Sequence, residues 1–403
     1  MKQGKMDEIP GQGRALRGEA WLGATMGVVR LDSLSRFFCS RLWLLILLFS
    51  ITLAGCTSIP QDFPPEVCVT LDHLKSDLID SSPELVSISG FDNLRAYAST
   101  FTLDSTLQRA GYLSTDEYQV FVSTHHPPEG IGVKGSVLVI HGYTAHGGHM
   151  AELTSHLVNK GWRVWLMDLP GHGMSTGGRY AIDDFRQYAE AVRTVWVKLT
   201  GESEGPFVMI GHSTGCTAIL ELLIQYHLGE NPEKILETLP RGIILGAPLI
   251  DLPSRELRWV FNRLAGNHSI HLTGWMQQLA AFSPGVSTSD EYIRFTLQGD
   301  PLYEPVYHPS WLEAYIRWVH HRQPDLYNGR LVGGYTGSML LIQGTADTVV
   351  EWERNIEILT SVVPEVEVGL LKDYPHTIFN MDEPERGVVF DRVSGFLSSL
   401  ASE

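Results

Sequence analysis

An α/β fold, with a mainly parallel sheet covered on both faces by helices, is the class this sequence predicts. Three observations carry it. From Tyr118 onward, short runs rich in Val, Ile and Leu alternate with stretches of helical length, and a strand buried on both faces reads as such a continuous apolar run. Several runs end where polar, glycine-containing chemistry begins, as before Tyr143, Asp168 and Ser213. The 403 residues are 43% hydrophobic and 19% charged, which fits a globular chain with a sizeable core rather than a disordered or multi-span membrane one.

The first element is an address. Leu42 to Ala54 (LWLLILLFSITLA) carries no charge, follows Arg30, Arg36 and Arg41, and runs into Gly55-Cys56. A basic flank before a short apolar stretch is a signal-peptide layout, whereas a spanning helix needs about 20 apolar residues. Leu53-Ala54-Gly55-Cys56 resembles the lipobox of bacterial lipoproteins, which implies cleavage before Cys56 and lipidation of its thiol. A non-cleaved anchor helix starting near Phe37 is the alternative. Both export the domain to the cell envelope, and neither distinguishes inner from outer membrane. Residues 1–25 lack apolar periodicity, and Met26 would start a signal of more usual length, so the first 25 are read as a mis-assigned start. In the 56–66 segment, TSIPQDFPP reads as an extended tether, and residues 67–117 as an N-terminal extension without assigned elements.

The core follows. YQVFV (118–122), SVLVIHG (136–142), RVWLMDLPG (163–171), PFVMIGHS (206–213), GIILGAP (242–248), SMLLIQG (338–344) and VEVGLL (366–371) are predicted strands. Residues 150–160, 182–199, 214–227, 351–362 and 385–400 have helical length and spacing. Between Asp251 and Gly337 this rhythm stops while Trp259, Phe261, Trp275, Phe282, Trp311, Tyr315 and Trp318 accumulate. That interval is read as a helical lid inserted between core segments 118–250 and 338–403, its aromatics either lid core or the lining of an acyl tunnel.

Composition excludes several functions. A net charge of −16 leaves no means of displacing counterions from a phosphate backbone, so nucleic acid is a poor partner. Lys2, Lys5, Arg14, Arg17, Arg30, Arg36 and Arg41 oppose Asp7, Glu8, Glu19 and Asp32 before Cys56, so a cleaved chain is more acidic still. It would reach a membrane through its acyl anchor rather than through anionic headgroups. Cys39, Cys56, Cys68 and Cys216 follow no zinc or disulfide spacing, and a Cys68–Cys216 bridge is not expected. GIGVKG at 130–135 precedes a strand instead of joining strand to helix, so it fails the dinucleotide test.

The chemistry centres on Gly211-His212-Ser213-Thr214-Gly215, placed between a predicted strand and helix. G-x-S-x-G in that context is a nucleophile elbow. A serine hydroxyl needs a base oriented by a carboxylate. In this topology the acid and then the histidine come later in the chain. Asp347 and His376 follow late strands, with Asp373 as the rival acid. The oxyanion hole requires two N–H groups, assigned to Thr214 and to Tyr143 in the loop after SVLVI. His141 is read as a residue that shapes this loop. His146 and His149 have H-x-x-H spacing but no matching carboxylate or further spaced ligand, a weak metal signature, and no metal or other cofactor is predicted.

At these residues the chain resembles the α/β-hydrolase superfamily, and within it the monoacylglycerol lipase and lysophospholipase-like branch. HGYTAH (141–146), DLPGHGMSTG (168–177), GHSTG (211–215) and HTIFN (376–380) carry the likeness. It implies Ser213 as nucleophile, Asp347 as orienting acid and His376 as base. Cys216 departs from the usual second glycine after the elbow, which predicts tight packing there, and the lid aligns with nothing. The expected activity is cleavage of a carboxylic ester, monoacylglycerol or lysophospholipid. A small-ester carboxylesterase or serine peptidase is the alternative, and a non-catalytic envelope binding protein a more distant one. Haloalkane dehalogenases and epoxide hydrolases share the fold but use a carboxylate nucleophile, which Ser213 is not.

Overall fold

The computed structural model describes residues 85–87, 98–103, 105–230, 236–251, 270–271, 286–296, 300–303, 306–327 and 335–401. The chain divides into two units, Met1–Gly55 and Cys56–Glu403, and all of these residues belong to the second. The signal segment, Cys39, Cys56, Cys68, the tether and the lid aromatics Trp259, Phe261, Trp275 and Phe282 lie outside the described residues. Among the described residues, no helix is long and apolar enough to cross a membrane.

Nine described strands form one sheet. In chain order they are β1 (Val86–Ser87), β2 (Leu107–Ser114), β3 (Gln119–His125), β4 (Gly135–Ile140), β5 (Trp162–Met167), β6 (Phe207–His212), β7 (Gly242–Gly246), β8 (Ser338–Gly344) and β9 (Glu367–Leu371). Their spatial order is β1-β2-β3-β5-β4-β6-β7-β8-β9. From β5 to β9 every pairing is parallel, and β1, β2 and β3 add antiparallel neighbours at one side.

The predicted runs match β3 to β9: β4 to β8 are apolar and buried along nearly all their length, whereas the edge strand β9 leaves Glu367 and Leu370 exposed. In β4, Val137 and Val139 enter one core layer while Leu138 and Ile140 enter the other. Helices cover both sides. Layer one holds α2 (Phe185–Glu202) and α3 (Thr214–Leu228), through residues such as Val192, Trp196, Ile219 and Leu223. Layer two holds α1 (Ala151–Asn159) and the C-terminal helix Glu385–Ala401, through Leu153, Leu157, Val393 and Leu397. Each fully buried Leu, Ile or Val contributes about 1.5–3 kcal/mol.

Two differences from the sequence reading have local causes. The helix expected from residue 182 starts at Phe185 because Asp184 caps it: the Asp184 carboxylate accepts the Arg186 N–H at 2.9 Å, and Gln187 Oε1 accepts the Asp184 N–H at 3.0 Å. Strand β2 lies in the stretch left unassigned. It pairs antiparallel with β3 from Leu107↔His125 to Ser114↔Gln119, closed by the Thr115–Tyr118 turn. Arg109 masked it; its guanidinium lies 5.7 Å from the Trp165 ring centre and bonds Glu202 at 2.8 Å.

The described part of the insert contains α4 (Asp290–Arg294), α5 (Pro309–His321) and α6 (Gln323–Tyr327), and a short ladder in which Ile270–His271 pairs with Val306–Tyr307. No described residue of the insert joins the main sheet. Trp311, Tyr315 and Trp318 fall on one side of α5, stack in a row and pack against Phe185 of α2. These three are therefore lid core. Arg322 at the end of α5 anchors the insert to α3 by a two-pronged bond to buried Glu221, Nη2 to Oε1 at 2.9 Å and Nε to Oε2 at 3.1 Å.

Candidate active site

Strand order reverses at β4. The chain passes from β4 to β5 on one side and returns as β6 on the other. Crevices at such switch points, outside the carboxyl ends of parallel strands, are where open α/β sheets bind ligands. Ile140 pairs with Gly211, so the ends of β4 and β6 deliver the Gly142-Tyr143 loop and Ser213 to one place.

Ser213 joins β6 to α3 with φ +50° and ψ −112°, a left-handed conformation that a non-glycine residue holds only under constraint. Its N–H donates to Gly246 O at 2.9 Å, and its carbonyl accepts from Cys216 N at 3.0 Å and Leu249 N at 3.2 Å. Strand and helix approach so closely that a Cβ at Gly215 would meet the Ile140 and His141 carbonyl oxygens at 2.6 Å, and one at Gly211 would meet Cys216 N at 2.8 Å. The Thr214 N–H lies at the start of α3, where the helix dipole favours negative charge. Cys216 is fully buried, with Sγ 3.4 Å from Gly246 O, and burial pushes its thiol pKa far up. It packs as a small apolar residue.

Asp347 follows β8 and His376 follows β9. His376 Nδ1 lies 2.8 Å from Asp347 Oδ2. The same oxygen accepts from Gln343 Nε2 at 3.0 Å, and Oδ1 accepts from Val349 N at 2.8 Å. Burial pushes the Asp347 carboxyl up, but the His376 ring and these hydrogen bonds outweigh it and hold its pKa below the ordinary value. With Nδ1–H donated to Asp347, the lone pair of the His376 ring is on Nε2. Asp373 is elsewhere: its side chain is 81% exposed, 3.9 Å from Lys372 Nζ.

The loop after β4 is built on its histidine. His141 Nε2 accepts the Leu169 N–H at 2.9 Å, so Nδ1 carries the proton and donates to Gly142 O at 2.7 Å. A Cβ at Gly142 would stand 3.1 Å from Ser213 Cβ and 3.0 Å from His212 Nδ1, which places the peptide leading to Tyr143 against the elbow. The DLPGHG segment ties this region together. Asp168 Oδ1 accepts from Gly147 N at 2.6 Å and Oδ2 from Met174 N at 2.8 Å.

Some contributors carried no sequence signal. His212 donates Nε2–H to the His376 carbonyl at 3.0 Å, with the two rings 5.0 Å apart; burial, then the His376 charge, lowers its pKa to about 3, so it is neutral. It occupies the unspecified position between glycine and serine in the G-x-S-x-G pattern. Gln343 looked like one more residue of an apolar run. Asp300 lay in an interval read for its aromatics.

Asp300 alters the picture at His146 and His149. Sequence offers these histidines no carboxylate at a matching ligand spacing; the fold brings Asp300 Oδ2 to 2.9 Å from His146 Nε2 and 2.6 Å from His149 Nε2, all three residues buried. The potential ligand atoms lie within 4.8 Å of one another. Protonation decides against a metal here. His146 Nδ1 accepts the Gly148 N–H at 3.0 Å, so its Nε2 bears the proton and has no lone pair to offer a cation. The Nε2–Oδ2 separations are hydrogen-bond lengths. Burial pushes Asp300 up, but the His146 ring beside it and the hydrogen bonds from both imidazoles hold its carboxyl well below the ordinary range.

Comparison with known proteins agrees with this architecture. The family model described as serine aminopeptidase, S33 (Hydrolase_4) matches residues 132–384. Phospholipase YtpA of Bacillus subtilis is 25% identical over 263 residues, covering 64% of this chain and 93% of that protein. A monoacylglycerol lipase of Mycolicibacterium smegmatis is 23% identical over 279 residues, covering 66% and 89%. Among solved structures, monoglyceride lipase from Saccharomyces cerevisiae shares the fold with a TM-score of 0.58 at 19% identity, over 72% of this chain and 94% of that one. Monoacylglycerol lipase of Paleococcus ferrophilus does so with a TM-score of 0.53 at 20% identity, over 70% and 99%. The family match spans the elbow, the insert and the strands that precede Asp347 and His376, and by it the chain belongs to the serine aminopeptidase, S33 family and is an α/β-hydrolase enzyme.

Proposed function

We propose that this enzyme cleaves carboxylic esters, with monoacylglycerol or lysophospholipid as the substrate class, through an acyl-enzyme on Ser213. The observation that carries the reading is the 2.8 Å bond between His376 and Asp347, on a histidine whose backbone is tied to the residue before Ser213. Ser213 Oγ attacks the ester carbonyl carbon and passes its proton to His376 Nε2 as the carbonyl electrons move onto oxygen. The Tyr143 and Thr214 N–H groups stabilise that oxyanion. As the tetrahedral species collapses, the carbon–oxygen bond to the alcohol breaks and the alcohol leaves with the proton from His376. Water repeats the attack with His376 again as base, the acid departs, and the proton returns to Ser213.

The substrate class is supported by the phospholipase and monoacylglycerol lipase named among the relatives. The family's aminopeptidase description supports the competing reading, a peptidase with the same triad. A fluorophosphonate should label the wild-type chain and leave Ser213→Ala and His376→Ala unlabelled, with circular dichroism unchanged. Turnover of monoacylglycerols and lysophospholipids but not of aminoacyl anilides would then separate the readings. Equal labelling of Ser213→Ala would overturn the nucleophile assignment.

The same reading places the enzyme at a bacterial membrane through a lipidated Cys56, supported by the apolar Leu42–Ala54 run and the LAGC sequence. Cys56→Ser is expected to move the protein from the membrane fraction to the soluble one; its retention would favour the uncleaved helix.

A further inference from the structure

The insert grips the loop after β4 at two points, one at Tyr143 and one just beyond it. At the first, the Tyr143 ring stacks on Trp311 at 3.9 Å and 22°, its hydroxyl donates to Tyr180 O at 3.1 Å, and it accepts the His308 N–H at 3.0 Å. At the second, Asp300 Oδ2 holds His146 and His149. Both imidazoles belong to the short 3-10 turn that follows the loop, in which His146 caps Gly147–Met150 through the Gly148 N–H. Each has its other nitrogen engaged as well, His146 by Gly148 and His149 by the Tyr292 hydroxyl at 3.0 Å. Asp300 Oδ1 accepts from Leu302 N at 2.9 Å. The core side is held by Asp168 on Gly147 N and by Asn380 Nδ2 on His149 O at 2.7 Å.

Between the two grips, Thr144 is held at φ +60°. A β-branched residue keeps that left-handed conformation only where its surroundings over-determine it. The Tyr143–Thr144 peptide directly precedes this strained residue, and the peptide whose N–H belongs to Tyr143 is the next one back along the loop. If either grip is released, Thr144 can relax toward an extended conformation and turn the Tyr143–Thr144 peptide, which carries the Tyr143 backbone and its N–H with it; none of the grip contacts is made to Ser213, Asp347 or His376.

We propose that Asp300 is a positioning residue for the ester hydrolysis assigned above: through His146 and His149 it makes the insert part of the oxyanion hole, fixing the Tyr143 N–H instead of only covering the site. The inference rests on the reading of Ser213 and Tyr143. The clasp touches neither the nucleophile nor the base. Its loss therefore appears in the transition state, where the oxyanion exists, and spares ground-state binding.

The test uses the full chain with a 4-nitrophenyl acyl ester and a trifluoromethyl ketone, which adds to Ser213 as a hemiketal with its oxyanion in the hole. Asp300→Ala is expected to lower kcat by about 10- to 100-fold, the range that a misplaced group costs, with KM changed less than about twofold. Affinity for the ketone should fall by the same factor as kcat. Asp300→Asn, whose amide oxygen can still accept from both imidazoles, should recover most of the loss, which a general loss of packing would not predict. Trp311→Leu, which releases the other grip, should show the same kcat-against-KM split and keeps the test decisive if Asp300→Ala fails to fold. Wild-type kcat and ketone affinity in both Asp300→Ala and Trp311→Leu would overturn the proposal while leaving Ser213 as nucleophile. A wild-type chain that fluorophosphonate does not label would instead remove the catalytic reading, and this inference with it.

Discussion

Two buried carboxylate–imidazole arrangements lie on either side of the elbow, and they differ in what their second ring nitrogens do. Asp347 meets His376 at 2.8 Å, and Asp300 meets His146 and His149 at 2.9 and 2.6 Å. By distance and burial they are alike. In the first, the carboxylate engages Nδ1 and leaves Nε2 with its lone pair, so the ring can take a proton and return it. In the second, Gly148 N–H occupies one imidazole and the Tyr292 hydroxyl the other, so every ring nitrogen is already committed. A carboxylate beside a histidine thus makes a proton relay or a clasp according to whether one nitrogen remains available.

The largest expected effect breaks the relay. Asp347→Asn preserves shape but opposes the His376 Nδ1–H with an amide that favours the wrong tautomer, so kcat should drop about 10⁴-fold while the unfolding midpoint in urea stays close to wild type. An Asp347→Asn enzyme with normal kcat would end the distinction between the two sites. The clasp should behave in the opposite sense. Beyond its kinetic effect, Asp300→Ala leaves two buried N–H donors without an acceptor and should cost about 3–5 kcal/mol of stability by urea unfolding.

The smallest effect concerns pH and sharpens the comparison with buried imidazoles that have no carboxylate bonded to them. Burial lowers the pKa of His125, His172 and His212 to about 3 each. Above the unfolded value near ~6.5 both states are neutral and these groups leave stability independent of pH. As pH falls from there toward 3, the unfolded chain gains protons that the folded one refuses, so stability falls by up to about 1.4 kcal/mol per pH unit for each group. Thermal unfolding recorded from pH 7.5 to 5 should show a declining midpoint, with a shallower decline in His172→Gln. A midpoint independent of pH over that range would contradict the buried, neutral assignment.

Legibility followed sequence distance. The elbow was readable because strand, nucleophile and helix are contiguous and the glycines on either side of Ser213 leave one local geometry. Asp347 and His376 were readable as chain order at strand ends, although nothing in the sequence separated Asp347 from Asp373 as sharply as an exposed side chain facing Lys372 does. His141 was recognised as a loop-shaping residue from its turn alone. Strand β2 was hidden by Arg109, whose polar end reaches Glu202 while its guanidinium lies over Trp165.

By itself the sequence determined the layered α/β architecture, since apolar runs of strand length between amphipathic stretches have one economical way to bury both faces, and it determined the elbow. Tertiary structure alone decided what His146 and His149 are for. Their partner Asp300 is more than 150 residues away in sequence, and a hydrogen bond between residues so far apart has no local pattern to announce it. It also decided that Trp311 and its neighbours on α5 form a packed lid core, because whether an aromatic face meets solvent, substrate or another ring depends on which elements the fold brings beside it.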